Sequence, residues 1–150
     1  TVITMNIKDV NEMTPQAIWE YNKGIKLTDE DVKSALNSRI ELSNDVNSLF
    51  GDFDFLALPS QQSFPFDKNL RHPEKINDKL MDTYHRWIEI HISASLFYLP
   101  SISLPIGFNK EGFPIGIQII AKQKEDLKVI SFAKRYEEIF NFSKIKPKLN

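Results

Sequence analysis

Two apolar segments, LPSISLPIGF at 99–108 and GFPIGIQIIA at 112–121, restrict what this chain can fold into more than any other feature. They read as two short strands joined by a tight, glycine-containing turn. Pro100, Pro105 and Pro114 fix their ends or edges, because proline donates nothing to a strand ladder. A surface hairpin alternates polar and apolar residues, whereas these segments are apolar at almost every position. Such strands need cover on both faces, which points to the interior of an α/β sheet rather than the rim of a small β domain. A chain of 150 residues supplies little of that cover, so the expectation is one part of a larger enzyme.

The rest of the chain alternates helical and strand patterns. Thr14 before Pro15 predicts a cap and a first helical residue, for a helix that runs to about Lys23 and stops at a left-handed Gly24. Thr28 with Asp29, Glu30 and Asp31 predicts a second, capped start. Val32, Leu36, Ile40, Val46 and Leu49 then recur at helical spacing up to Gly51. FDFLAL at 53–58 predicts a buried strand that ends at Pro59, followed by SQQSFPF as loop. Residues 67–79 predict a polar surface crossing, 80–96 a helix, and 125–140 a final helix. Its expected apolar stripe is Leu127, Ile130, Ala133, Tyr136 and Phe140, widened by Val129, Phe132 and Ile139. The order is α/β, with three clear strands as a short mixed sheet covered by helices.

Composition removes several chemistries. Cysteine is absent, which excludes disulfides, thiolate catalysis and cysteine metal sites, and fits a reducing compartment. A cytoplasmic location is therefore expected. The formal charge of −1 gives no general pull toward nucleic acid, and no apolar run approaches the ~20 residues of a membrane span. The first residues do not form a signal peptide, and the start at Thr1 favours a fragment.

His72, His85 and His91 lack metal-ligand spacing, and Gly107, Gly112 and Gly116 suit close backbone packing better than a phosphate cradle. No metal or other cofactor is expected. Ser60, Ser63, Ser93, Ser95, Ser101 and Ser103 lie in no GxSxG and beside no evident base. Asp52 and Asp54 read as solvated strand ends. From its own residues the chain carries no complete catalytic apparatus. Phe64, Phe66, Tyr84, Trp87, Phe97 and Tyr98 cluster around strand ends, where α/β proteins collect ligands, although aromatics at helical spacing are more often core.

The assembled pattern resembles the C-terminal portion of the amidase signature family, over roughly residues 18–140. The matching stretches are Gly24 to Asp31 with Ala35 and Arg39, then Phe50 and the strand Asp54 to Leu58 ending in Pro59-Ser60, then Tyr84 and Trp87. Most specific are the two closing motifs, Leu99-Pro100-Ser101-Ile102-Ser103-Leu104-Pro105-Ile106-Gly107-Phe108 and Gly112-Phe113-Pro114-Ile115-Gly116-Ile117-Gln118-Ile119-Ile120-Ala121. Ser60 stands where threonine is usual, and Ala121 where glycine is. Tyr98 replaces a glycine or other small residue, which would narrow or reshape any cavity beside that turn.

The resemblance implies a partial amidase-like fold in a parent that hydrolyses a carboxamide by a Ser–cis-Ser–Lys mechanism. The family's catalytic residues belong to its upstream part, and no motif here matches them, so none is assigned. The implied role of residues 1–150 is structural, with one wall of the acyl pocket drawn from Phe64, Tyr84, Trp87, Ser95, Phe97 and Tyr98. The implied partners are a small-molecule amide and the remainder of the amidase, or a second copy through open sheet edges. The rival reading is a non-catalytic interaction module, with Leu104, Ile106, Ile117 and Ile119 as its docking face.

Overall fold

The computed structural model describes residues 12–146. The fold divides after Leu42 into two compact units. In the first, α1 spans Pro15–Gly24 and α2 begins at Asp29 and runs on to Leu49. Thr14 caps α1 through its hydroxyl, which accepts from the Ala17 N–H at 3.4 Å. Gly24 does not supply the expected left-handed end. The chain continues right-handed through Ile25 (φ −68°), whose N–H donates to Tyr21 O at 3.0 Å, while the Lys26 N–H donates to Lys23 O at 3.2 Å. That tightened turn satisfies the last carbonyls without a glycine. At α2 the expected cap forms reciprocally. Asp31 N–H donates to Thr28 Oγ1 (3.2 Å), and Thr28 N–H donates to Asp31 Oδ2 (2.9 Å). Those bonds from Thr28, the backbone one first, hold the Asp31 carboxyl below its ordinary 3.8.

The second unit holds the sheet. β1 (Leu56–Pro59), β4 (Ser101–Phe108) and β5 (Pro114–Ile120) form three strands in the order β1-β5-β4, and both pairings are antiparallel rather than mixed. β5 is therefore central, and its Gln118, Ile119 and Ile120 are buried. β4 lies at the edge and keeps only Leu104 buried, while Ile106 and Phe108 face solvent. The β4–β5 hairpin turns where sequence placed it, with Gly112 at φ +85°. Beside Pro105 the register slips, and Gly107 at φ +138° absorbs the irregularity, a conformation open to glycine.

Helices pack on this sheet. Ala94, Phe97, Leu99 and Ile120 make the core, with Val46, Phe50, Leu56 and Leu58 against it. The single helix expected over 80–96 is broken. Lys75–Ile76 (β2) and Lys79–Leu80 (β3) form a small hairpin, followed by α3 (Tyr84–Trp87) and α4 (Glu89–Leu96). Asn77 and Asp78 both adopt positive φ, the conformation of a two-residue hairpin turn. Thr83 starts α3 by accepting from Arg86 N–H at 3.2 Å, and Ile88 (φ −103°, ψ 11°) interrupts the helix before α4.

The last helix, α5, spans Asp126–Phe140. Its inward side carries Val129 and the half-buried Phe132, Ala133 and Tyr136, whose hydroxyl donates to Pro105 O at 2.7 Å. Leu127 and Ile130, expected on that stripe, are 79% and 59% exposed. Lys128 ties α5 to the segment before β1, with Nζ 2.8 Å from Asp54, 3.1 Å from Glu125 and 5.4 Å over the Phe55 ring.

Candidate functional site

Beyond Pro59 the chain leaves the sheet as Ser60-Gln61-Gln62-Ser63-Phe64-Pro65-Phe66, and three anchors hold it in place. Ser60 N–H donates to Gly116 O at 2.9 Å, which extends the ladder by one step. Gly116 leaves room for this approach, since a Cβ there would stand 2.9 Å from Ser60 Oγ. Ser60 Oγ also shares a 2.6 Å hydrogen bond with Ser103 Oγ across the sheet.

The other two anchors are carboxamides. Gln62 accepts the Ile90 N–H (3.0 Å) and donates to Arg86 O (3.1 Å). Gln118 is buried on β5 and donates to both Pro59 O and Ile90 O at 3.1 Å. Together they lock the loop between the sheet and α3–α4. The Ile90 N–H that Gln62 accepts is one of the first amides of α4, which a helix leaves without an internal partner.

This frame encloses a cavity of about 910 Å³. Its body is apolar, with Leu58, Phe64, Phe66, Trp87, Ile115 and Ile117 in the lining. Phe66 meets Trp87 edge-on at 5.4 Å, which fixes both rings. Ser60, Gln61, Gln62 and Ser63 bring polar groups along one side, and Lys75, Ile76 and Asn77 bring the β2–β3 hairpin to the rim. Ser63 Oγ and Trp87 Nε1 are buried polar atoms with no hydrogen-bond partner among the described residues. The lining contains no carboxylate, imidazole or thiol, and its one ionisable side chain, Lys75, is exposed on the β2–β3 hairpin and hydrogen-bonds no serine among the described residues. Such a surface can hold and orient a molecule with an apolar body and a few polar groups.

Of the residues expected at a pocket wall, Phe64 and Trp87 line the cavity. Tyr84 stands next to Trp87, ring centroids 6.3 Å apart, but outside the lining. Ser95 lies exposed on α4, and Phe97 is a core residue packed with Ala94, Leu99 and Ile120. Tyr98 is 68% exposed at φ +55° and also lies outside the lining. Helical spacing groups residues on one face without saying what that face meets. Sequence reasoning missed the Gln61–Gln62 pair and the Lys75–Asn77 rim. Two glutamines directly after a strand-ending Pro-Ser, and Asn-Asp between Lys-Ile and Lys-Leu, were the available signals.

Among the described residues no group of three or more metal-ligating side chains gathers, and no helix is long and apolar enough to cross a membrane.

The sequence profile of the amidase family matches residues 8–130. The glutamyl-tRNA(Gln) amidotransferase A-subunit of Thermodesulfovibrio yellowstonii is 33% identical over 119 residues, covering 78% of this chain and 23% of that protein. The protein of the same name from Brevibacillus brevis is 32% identical over 117 residues, covering 77% and 22%. The chain thus spans less than a quarter of the length of these curated relatives. Among solved structures, a bacterial aryl acylamidase of the amidase signature enzymes superposes with a TM-score of 0.77 at 21% identity, covering 89% of this chain and 28% of that one. The 6-aminohexanoate cyclic dimer hydrolase complexed with substrate gives 0.70 at 18% identity, covering 93% and 30%. At these identities the likeness is one of fold.

Proposed function

The chain belongs to the amidase family, and on that premise we propose that it forms the C-terminal structural segment and one substrate-facing wall of an amidase that hydrolyses a carboxamide. The observation that carries this reading is the composition of the cavity. It is large, mostly apolar and fixed by two carboxamide anchors, yet among the described residues no base in it hydrogen-bonds a serine hydroxyl. A pocket wall has that composition; a complete catalytic centre does not. In the proposed enzyme the serine nucleophile and the Ser–Lys proton relay come from outside residues 1–150. Oxyanion stabilisation by backbone N–H groups comes from there too. The wall's task is to hold the acyl group in reach of that nucleophile.

The named relatives each form one subunit of an amidotransferase, which supports partner chains as well as partner strands. The open outer edge of β4 and its exposed Ile106 and Phe108 favour pairing with further polypeptide through the sheet.

Two measurements test the proposal. The purified 150-residue chain should turn over none of a panel of primary amides and esters. Turnover that disappears on substituting a serine within it would overturn the assignment of the nucleophile elsewhere. In an amidase containing this segment, Phe64→Ala and Trp87→Ala should raise KM for amides with apolar acyl groups by roughly tenfold. Each removes about 1.5–3 kcal/mol of buried apolar contact. Unchanged kinetics in both variants would remove the cavity from the substrate's path.

A further inference from the structure

We propose that this cavity selects an acyl group ending in a negative charge, and that Lys75 sets the selection. The inference rests on the amidase reading of the site and adds the substrate class to it. Among the lining residues Lys75 carries the only charge, and no acidic residue balances it there. Among the described residues no ion pair engages it.

The remaining polar capacity has the same sense. The indole N–H of Trp87 can only donate, an ammonium can only donate, and Ser63 Oγ has no partner of its own. A ligand ending in a carboxylate brings acceptors to the Lys75 ammonium, whereas Trp87 Nε1 and Ser63 Oγ are covered atoms that a ligand reaches only if the wall shifts. A cationic end meets an uncompensated ammonium. A neutral acyl chain is tolerated without preference, because the exposed lysine stem can keep its head in water.

Lys75 is not loosely placed. Its strand pairs Lys75 with Leu80 and Ile76 with Lys79 across the Asn77–Asp78 turn. Met81 N–H closes the open end onto Glu74 O at 2.8 Å. The hairpin therefore holds the Lys75 backbone at the rim of an apolar cavity. An apolar acyl chain lying against Phe64, Phe66 and Trp87 would carry its far end toward this rim.

All lining residues lie within the 150-residue chain, so binding can be measured on the chain itself. The probes are 4-phenylbutyrate and its neutral isostere 4-phenylbutyramide. They are titrated while the Trp87 indole N–H signal is followed by NMR, with Trp19→Phe used to assign it. The carboxylate should bind roughly three- to tenfold more tightly than the amide. Lys75→Gln should abolish that ratio by weakening the carboxylate's binding, and Lys75→Arg should keep it. On the unaltered chain, 0.5 M salt should shrink the ratio as well, which needs no variant to fold. Equal binding of the two probes, a preference that survives Lys75→Gln, or no response to either probe would overturn the proposal. Turnover of neutral amides by an enzyme containing this segment tests the amidase reading separately. It can fail while the charge preference stands, or hold while the preference is absent.

Discussion

Tyr98 shows how one side chain can be out of keeping with its backbone. It follows α4 at φ +55°, a left-handed conformation in which an L side chain meets its own carbonyl at a cost of about 1–2 kcal/mol. That is the physical reason the resembling pattern carries a small residue there, and the large phenol of Tyr98 is not turned into the cavity. Tyr98→Gly should therefore stabilise the fold by about 0.5–1 kcal/mol, after allowing for glycine's greater freedom when unfolded. Denaturant melts would show the gain as a higher midpoint at unchanged slope. A loss of stability would mean that contacts of the ring outweigh the backbone strain. The sequence flagged Tyr98 as unusual but could not say whether space or backbone angle was at issue, because only the dihedral separates the two.

At the scale of elements, caps and turns were legible where a short-range signal dictated them, and faces were not. Thr28 and Asp31 specify the start of α2 by bonds between residues three apart, so the sequence alone sufficed. The β4–β5 hairpin was readable for the same reason. Which side of α5 turns inward depends on β4, distant in sequence, and the stripe through Leu127 and Ile130 was accordingly misjudged.

The break between α3 and α4 was equally invisible, since every residue from Tyr84 to Leu96 is individually compatible with helix. The cap on α2 predicts a pH dependence. Asp31 is held below 3.8, so its contribution is present above that pH and is lost as pH falls through the depressed folded value. Lys128 behaves oppositely. Asp54 first and Glu125 next raise it above 10.5, so its contribution is complete below 10.5 and is lost as pH rises through the folded value. Carbon-detected titration of Thr28→Ala should return Asp31 only part of the way toward 3.8, because the Thr28 N–H bond that contributes most survives the substitution; an unmoved titration would show that the hydroxyl adds nothing.

For the molecule as a whole, the α/β class was evident from the alternation of apolar strands with helical segments. The site itself was evident only in part, because Gln62 and Gln118 reach residues 28 positions away. The outer edge of β4, which pairs with no further strand among the described residues, predicts concentration-dependent association of the 150-residue chain, measurable by light scattering. A strictly monomeric chain across the soluble range would count against sheet-edge pairing.

The two glutamines carry a kinetic consequence. They hold the Ile90 peptide from both sides, one accepting its N–H and the other donating to its carbonyl. Ile90 is the second residue of α4, where an amide ordinarily has no helical partner and trades its proton with water almost at once. Here that proton can leave only when Gln62 lets go, so its lifetime in D₂O should exceed that of the Glu89 amide by orders of magnitude. Gln62→Ala should bring the two together. One backbone proton would then serve as a clock for how often the loop bearing Ser60 to Phe66 comes away from the rest of the protein.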